Sequence, residues 1–501
     1  MERYLLGVDI GTYSSKGVLV REDGLVIASH AVEHLLSLPK PGWAEHDPEL
    51  VWWKDFVRIV HTLLDASRIA PELIAAMGIS TISPAVVAVG RDGCALRPAI
   101  LYGIDTRAEQ EVADLQRLTG ASLSSQSGAP KILWLRRHEP EIWRQTRQIV
   151  NGSGYLNLKL TGQATVDHYD ASAFNPFFNV HSLSWDPALA DLVAPIEWMP
   201  RPTWTSEVAG LVSEEAAHLT GLHAGMPVIT GTADAAAEAV GAGLSNPGDM
   251  MIMYGSSTFF ILKTSQLASS THFWTSPFLE PGTFSVAGGT TTAGSLTRWF
   301  RDQFGQVEIE SQRTGGEDAY SALARLAAGS PPGSNGLVAL PYFYGERTPI
   351  DDPQARGLIF GLTLNHTRAD VYRALLESVG YAIRHNLEIM RAEEMPPVRL
   401  LAVGGGTLNR PWMQMVCDIA GITQVIAGQQ SGAPLGDAFL AGIGAGLFSS
   451  TAEISRWLTS IETLQPDDER HSRYEPYYQI YRQLYEQNAG TMHSIGALNK
   501  W

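Results

Sequence analysis

The stretch LLGVDIGTYSSKGVLV, residues 5–20, decides the fold. An apolar run ends at Asp9, a turn of small residues follows, and a second apolar run completes the stretch. A third run, residues 25–32, comes after Asp23-Gly24, a dipeptide typical of hairpin turns. The pattern predicts a three-stranded antiparallel meander at the start of a mixed-sheet α/β protein.

The same arrangement returns halfway along the chain. MMIMYGSSTFFILK, residues 250–263, again places a turn of Gly, Ser and Thr between two apolar runs. A chain of 501 residues is too long for one ordinary core, so we interpret the repeat as two domains built on one plan, although coincidence remains an alternative. The loop GAGLSNPGD suggests a boundary that divides the chain into residues 1–245 and 246–501.

Other segments predict strands and helices that alternate along the chain. Residues 75–83 and 86–90 form a second predicted strand pair. Thr367 and Asp370 form a predicted capping box before a long helix over residues 369–390.

Composition excludes several classes of protein. The net charge of −16 argues against a nucleic-acid or anionic-membrane partner, because both require a basic surface. The only cysteines, Cys94 and Cys417, are too few for a disulfide framework or a thiolate metal site. No export signal follows Met1 and no long apolar run predicts a membrane span. A reduced, cytoplasmic setting is the simpler expectation.

Three glycine turns are candidates for nucleotide binding, since the P-loop pattern and the dinucleotide fingerprint are absent. In the first glycine turn (residues 9–17), backbone N–H groups with the hydroxyls of Thr12 and Ser14 could surround phosphate, and Asp9 could hold Mg²⁺ through water. An ordinary hairpin turn is the alternative. The second glycine turn (residues 254–258) offers the same donors. The third glycine turn (residues 403–410) would let a flat ring approach the backbone.

Asp234 is the candidate catalytic base. It follows an apolar strand and a Gly turn, and it precedes an alanine-rich segment typical of a helix. A helix start favours a charged carboxylate, but Asp234 could equally be a simple N-cap. We expect an ordinary pKa of ~3.9 for this group, with proton transfer late in the reaction.

These motifs together resemble the FGGY carbohydrate kinase family over essentially the whole chain. The matching segments are DIGTYSSKG, PGWAEHDPELVWW, APKILWL, GTADAAAEAVGAG, MYGSST, GERTPIDDPQARGLIFGL and GGGTLN. One departure is Gly128, where the family usually has Pro, Ser or Thr. The resemblance implies two ribonuclease-H-like (actin-like ATPase) domains with a central cleft, and phosphoryl transfer from ATP with Mg²⁺ to a small sugar or polyol.

The resemblance also implies roles for individual residues. Asp234 would be the general base, and Asp9 with Asp234 would lie on the Mg²⁺ side. The predicted ATP-binding residues are Gly11, Thr12, Ser14, Lys16, Gly255, Ser256, Gly294, Arg298, Gly405, Gly406 and Asn409. The predicted sugar-side residues are Ser83, Pro84, Asp105 and Arg107, together with Asp234.

The identity of the sugar is less constrained. Glycerol kinases carry an Arg-Glu pair, and xylulokinases usually Met-His, where this chain has Ser83-Pro84. Since Pro84 has no N–H and Ser83 is short, glycerol should be a poor acceptor. The segment GERTP favours a ketopentose such as D-xylulose, with another ketose, polyol or aldonate as the alternative.

Two other functional classes fit an actin-like chain. A non-catalytic sugar or nucleotide sensor would not need both Asp9 and Asp234. An Hsp70-type ATPase would carry a separate β-rich peptide-binding domain, which this sequence does not predict. Members of the family are often dimers or tetramers, so the resemblance allows a homodimer but does not fix the oligomeric state.

Overall fold

The computed structural model describes residues 2–427, 432–459 and 461–498. Its strands are β1 Tyr4–Ile10, β2 Ser14–Arg21, β3 Val26–Glu33, β4 Glu45–His46, β5 Ile74–Thr81, β6 Val87–Val89, β7 Ala99–Ile100, β8 Gln148–Val150, β9 Thr165–Asp167, β10 Phe178–Asn179, β11 Ser184–Trp185, β12 Arg201–Thr203, β13 Val208–Leu211, β14 Pro227–Ile229, β15 Thr232–Ala233, β16 Asp249–Tyr254, β17 Thr258–Thr264, β18 Trp274–Pro277, β19 Phe284–Gly288, β20 Val338–Leu340, β21 Leu358–Phe360, β22 Arg399–Val403, β23 Gln424–Ala427 and β24 Ile461–Leu464.

The α-helices surround these strands. They are α1 Lys54–Ser67, α2 Glu109–Thr119, α3 Gly128–His138, α4 Pro140–Gln145, α5 Gly152–Thr161, α6 His168–Ser172, α7 Glu214–Thr220, α8 Asp234–Gly241, α9 Gly294–Phe304, α10 Gln306–Arg313, α11 Ala319–Ala328, α12 Arg368–Ala392, α13 Arg410–Ala420, α14 Ala433–Gly444 and α15 Asp468–Leu498.

Two large sheets share one strand order, to which the second sheet adds the edge strand β18. The first runs β13-β14-β5-β1-β2-β3 and the second β18-β19-β17-β16-β22-β23-β24. In each sheet, three antiparallel strands, β1-β2-β3 in the first and β16-β17-β19 in the second, are followed by two strands parallel to the first of the three. These two are β5 and β14 in the first sheet and β22 and β23 in the second. The predicted meander and internal repeat are therefore confirmed.

Helices α8 and α14 form the layer between the two sheets. Their apolar side chains share one buried cluster with the facing surfaces of both sheets. Glycines allow close packing: a Cβ on Gly7 would lie 1.9 Å from the Pro434 carbonyl oxygen, and one on Gly78 would lie 2.3 Å from the Asp437 carbonyl oxygen. Helix α14, late in the sequence, thus packs directly on β1 and β5 of the first sheet.

Two local predictions are tested by these elements. The capping box of Thr367 and Asp370 is present, and α12 follows it as expected. The second predicted strand pair is wrong in its pairing, although both strands exist. Strand β5 joins the first sheet, whereas β6 pairs with β8. The partner of β6 lies about 60 residues away, so local sequence gives no signal for it.

Candidate active site

The first glycine turn joins β1 to β2 and is closed by its own backbone. The Gly11 N–H donates to the Ser14 carbonyl oxygen at 3.0 Å, and the hydroxyls of Thr12 and Tyr102 lie 3.0 Å apart. Gly11, Thr12 and Ser14 are partly exposed, and Lys16 is exposed. This end of the hairpin is therefore open to a ligand.

Asp9 is buried at the end of β1, beside a carboxyl group from the second half of the chain. Ser80 Oγ, on β5, lies 3.1 Å from Asp9 Oδ1 and 2.7 Å from Asp437 Oδ2, on α14. Burial raises the pKa of both carboxyl groups, and repulsion from Asp234 adds to the effect at Asp9. Because a hydroxyl has one proton, Ser80 can donate to only one of the two carboxyl groups at a time.

Asp234 is the first residue of α8, and Ala233 occupies the N-cap position. Its Oδ1 accepts a hydrogen bond of 2.7 Å from the Ala235 N–H. Burial raises the pKa of Asp234 to about 7. The hydrogen bond from Ala235 opposes this rise, whereas the negative charges of Asp170 and Glu238 add to it. The expectation of an ordinary pKa is therefore wrong, because desolvation outweighs the helix start. A base with a pKa near neutrality accepts a proton efficiently at physiological pH.

The groups around Asp9 form an acidic cluster that suits Mg²⁺ bound together with a nucleotide. Asp234 and Glu238 raise the pKa of Asp9, whereas Lys16 lowers it. Within the described residues, no group of three or more ligating side chains is positioned to hold a metal ion alone. Mg²⁺ usually keeps several waters and takes one or two carboxylates plus substrate phosphates. Asp9 and Asp234 fit that pattern of ligation.

Ser83 and Pro84, predicted on the sugar side, lie next to a buried acid that sequence reasoning missed. The Ser83 hydroxyl donates to Asp170 Oδ1, and Asn151 Nδ2 donates to Asp170 Oδ2 at 2.5 Å. Burial raises the pKa of Asp170, whose charge in turn raises that of Asp234. Pro84 itself is buried. The hydroxyl of Ser83 thus orients an acid near the candidate base.

Asp105 and Arg107 occupy a different environment from the one expected. Both side chains are fully enclosed and form an ion pair, with Arg107 Nη2 2.7 Å from Asp105 Oδ2. Arg107 also pairs with Glu45 at 2.8 Å and stacks on Trp43, its Cζ 3.8 Å from the ring centroid. The Ala44 N–H donates to Asp105 Oδ2 at 2.7 Å. This geometry argues against direct sugar contact, because the polar atoms are already paired inside the protein.

The second glycine turn is bonded to the start of α9. The Gly294 N–H donates to the Gly255 carbonyl oxygen at 2.9 Å, and the Ser295 N–H donates to that of Ser256 at 3.0 Å. A Cβ on Gly294 would lie 2.5 Å from the Gly255 carbonyl oxygen, so glycine is required there. Ser256 and, further along α9, Arg298 are exposed.

Two side chains of the GERTP segment, Glu346 and Arg347, hydrogen-bond the backbone next to the second glycine turn. Arg347 Nη2 donates to the carbonyl oxygens of Thr290, at 2.9 Å, and Thr258, at 3.2 Å. Glu346 Oε1 accepts from the Thr291 N–H at 2.8 Å. Burial raises the pKa of Glu346 to about 8, with Arg347 opposing. The segment therefore fixes the backbone around the turn.

The third glycine turn lies against the second. A Cβ on Gly406 would lie 2.6 Å from the Tyr254 Cβ, whereas one on Gly405 would meet nothing within 4 Å. Asn409 caps α13, its Oδ1 accepting from the Trp412 N–H at 3.1 Å. Gly405 thus faces open space at the surface of the turn.

The predicted residues fall into two groups. The first glycine turn, Asp9 and Asp234 are linked through one electrostatic cluster, and the second and third glycine turns are linked through Tyr254 and Gly406. Residues that the sequence analysis missed join the first group. They are Ser80, Tyr102, Asn151, Asp170, Glu238 and Asp437. Glu238 was detectable, since it lies one helical turn after Asp234.

Comparison with protein families identifies the chain. The model of the N-terminal domain of the FGGY family of carbohydrate kinases matches residues 4–241, and that of the C-terminal domain matches residues 250–445. The chain belongs to the FGGY family of carbohydrate kinases. This FGGY kinase is therefore a sugar phosphotransferase, and members of the family use ATP.

Full-length relatives agree with this assignment. A xylulose kinase of Escherichia coli K12 is 31% identical over 96% of this chain and 98% of its own. An autoinducer-2 kinase of Escherichia coli SMS-3-5 is 29% identical over 97% and 95%. The crystal structure of a xylulose kinase from Rhodospirillum rubrum superposes with a TM-score of 0.91 at 31% identity, covering 98% of this chain and 100% of that one.

The predicted fold of two actin-like α/β domains is confirmed by these structures and by the repeated strand order. Among the residues that the structure describes, no helix of this FGGY kinase combines the length and apolar character needed to cross a bilayer.

Proposed function

We propose that this FGGY kinase transfers the γ-phosphoryl group of ATP to a ketopentose such as D-xylulose. The observation that carries the proposal is the full-length similarity to a xylulose kinase of Escherichia coli, with 31% identity and few unmatched residues in either chain. The solved Rhodospirillum rubrum xylulose kinase supports it with the same identity.

In this proposal Asp234 accepts the proton of the attacking hydroxyl. Its raised pKa and its place at the start of α8 suit that role. Phosphoryl transfer depends mainly on positioning and charge stabilisation. The donors would come from Gly11, Thr12, Ser14 and Lys16 on one side and from Gly255, Ser256, Gly294 and Arg298 on the other. Gly405, Gly406 and Asn409 would line the adenosine pocket.

Asp9 would hold Mg²⁺ through water, with Asp234 close by. When bound, the cation supplies charge neutralisation between the phosphates. The support for this role is the buried acidic cluster, in which only Lys16 lowers the pKa of Asp9 by its charge.

Ser83 would act on the acceptor through Asp170 rather than by a direct bond. Its hydroxyl is already donated to Asp170, so it has no second proton for a sugar oxygen. Pro84 offers no donor. Glycerol should therefore be a poor acceptor, because a site that lacks a polar partner discriminates strongly between substrates.

A second candidate is phosphorylation of a different small polyol or ketose. The full-length similarity to an autoinducer-2 kinase, at 29% identity, favours it. A non-catalytic sensor is less favoured, because the raised pKa of Asp234 suits proton transfer.

A panel of acceptors tests the proposal. ADP release would be measured with ATP, Mg²⁺ and D-xylulose, other ketopentoses, polyols including glycerol, aldonates and autoinducer-2-type diols. We expect the highest kcat/KM for D-xylulose or a related ketopentose, and little turnover of glycerol. Efficient use of glycerol with ketoses inert would overturn the assignment, and turnover of no acceptor in the panel would mean that the substrate is a different sugar or polyol.

We further infer a division of the chain at residues 245 and 246, a cytoplasmic setting and a homodimer as the assembly to test. The family models leave residues 242–249 unmatched, which supports the division. Cys94 and Cys417 are both free, and the acidic surface disfavours nucleic acid and anionic membranes as partners.

A further inference from the structure

A buried cluster of two histidines and an aspartate lies directly behind the first glycine turn. His34, the residue after β3, and Asp55, on α1, have side chains only 6% and 10% exposed. His34 Nδ1 lies 2.8 Å from Asp55 Oδ2, and His34 Nε2 lies 3.1 Å from the Gly11 carbonyl oxygen. The His46 ring packs edge-on against His34, with centroids 4.9 Å apart.

The hydrogen-bond partners of His34 hold the ring at both ends. Nε2 faces a carbonyl oxygen, which can only accept, so this nitrogen carries the proton that it donates to Gly11. Nδ1 is bonded to the Asp55 carboxyl group and also lies 3.4 Å from Ser15 Oγ. The Ser15 hydroxyl donates to the same carboxylate at 2.9 Å and helps to hold it.

The neighbouring imidazole is neutral. His46 Nδ1 accepts a hydrogen bond of 3.1 Å from Trp52 Nε1, so this nitrogen carries no proton. Burial and the nearby His34 lower the pKa of His46 to about 4. The ring of His34 therefore packs against a neutral imidazole, and its proton on Nε2 points at the backbone of the first glycine turn.

The hydrogen bond between His34 and the Gly11 carbonyl oxygen determines the direction of the following N–H group, that of Thr12. In a planar trans peptide the C=O and the following N–H point in opposite directions. With the Gly11 carbonyl directed inward at His34, the Thr12 N–H points outward, on the partly exposed side of the turn. The hydrogen bond accepted by this carbonyl also polarises the peptide and makes its N–H a stronger donor.

We propose that His34 is a positioning residue for phosphoryl transfer: paired with Asp55, it fixes and polarises the Gly11–Thr12 peptide so that the Thr12 N–H binds the transferred phosphate. The inference rests on the proposed role of the first glycine turn in binding ATP.

Two substitutions of His34 test the two nitrogens of the imidazole ring separately. Gln places an amide nitrogen near the position of Nε2 and retains a donor for Gly11, whereas Asn places one near Nδ1 and retains only the bond to Asp55. In His34→Asn we expect kcat to fall about 10- to 100-fold and the KM for ATP to rise, as for the loss of a buried hydrogen bond that leaves its acceptor unsatisfied. In His34→Gln the fall should be less than about 5-fold, and the KM for the sugar should change little in either variant.

The controls distinguish this role from damage to the fold. His471→Asn removes a comparable ring-to-carbonyl bond, from Nδ1 to the Asp418 carbonyl oxygen at 2.8 Å in the second half, and should lower the melting temperature without lowering kcat. If His34→Asn does not fold, Asp55→Asn provides the second test: the ring keeps its Nε2 donor but loses the carboxyl partner that orients it, so the KM for ATP should rise while the KM for the sugar stays unchanged.

Equal kcat in the Asn and Gln variants, or sugar KM values that shift as much as those for ATP, would overturn the inference. Failure of the proposed function would look different, because the unmodified enzyme itself would then turn over no sugar.

Discussion

At the scale of one residue, the role of Asp234 as the base predicts the effect of replacing its carboxyl group. Asp234→Asn keeps the shape of the side chain and removes the proton acceptor, so kcat should fall by about 10²–10⁴. Binding of an ATP analogue, measured by calorimetry, should remain largely unchanged. Asp318→Asn, at the N-cap of α11, is the matched control and should keep full activity. Turnover within a few-fold of the parent protein would remove Asp234 from the role of base.

The raised pKa of Asp234 also predicts how activity depends on pH. Only the deprotonated carboxylate can accept a proton, and burial raises its pKa to about 7. We therefore expect kcat/KM to be constant above that pH and to fall about tenfold per unit below it. Measurement of kcat/KM between pH 5 and pH 9 would show this acidic fall. A profile that stays flat down to pH 5 would contradict the assignment.

Asp234 and Asp170 show what the sequence could and could not reveal about the site. Asp234 was predictable because a strand, a glycine turn and a helix start are all local signals. Asp170 and Asp437 reach the site only through long-range packing, since Asp170 bonds to Ser83, 87 positions away, and Asp437 bonds to Ser80, 357 positions away. His34 is only 23 positions from Gly11, but its bond to the turn depends on how β3 and α1 pack. Burial, which raises the pKa of Asp234 and encloses Arg107, is likewise a property of the folded molecule.

At the scale of one element, two substitutions in the third glycine turn should affect stability and nucleotide binding separately. Gly406→Ala would place a Cβ 2.6 Å from the Tyr254 Cβ, whereas Gly405→Ala would enter open space. We expect Gly406→Ala to lower the melting temperature. Gly405→Ala should leave it unchanged and raise the KM for ATP several-fold, because the methyl group would occupy the predicted adenosine pocket. An unchanged KM in Gly405→Ala would place the adenosine elsewhere.

The hairpins and helix ends were the most predictable elements. β1 to β3 and the capping box before α12 follow from short patterns of apolar and turn residues. The pairing of β6 with β8 does not, since nothing in residues 86–90 distinguishes one partner strand from another. Local chemistry therefore defined the elements, and long-range packing selected their partners.

At the scale of the whole molecule, phosphate donors on both halves predict a change in shape. ATP analogue and sugar together should draw the two halves closer than either apo protein or sugar alone. Small-angle scattering should show a smaller radius of gyration only with both ligands. An identical radius in all three states would count against closure of the cleft.

The position of α14 has a consequence for the order of events during synthesis. This helix begins at residue 433, yet it covers β1 and β5, which are among the first segments made. Until it emerges from the ribosome, apolar side chains such as Leu5 and Ala76 have no cover. Nascent chains that expose such surfaces aggregate or bind chaperones. Residues 1–245 produced alone should therefore be insoluble, and supplying residues 246–501 in the same cell should recover them.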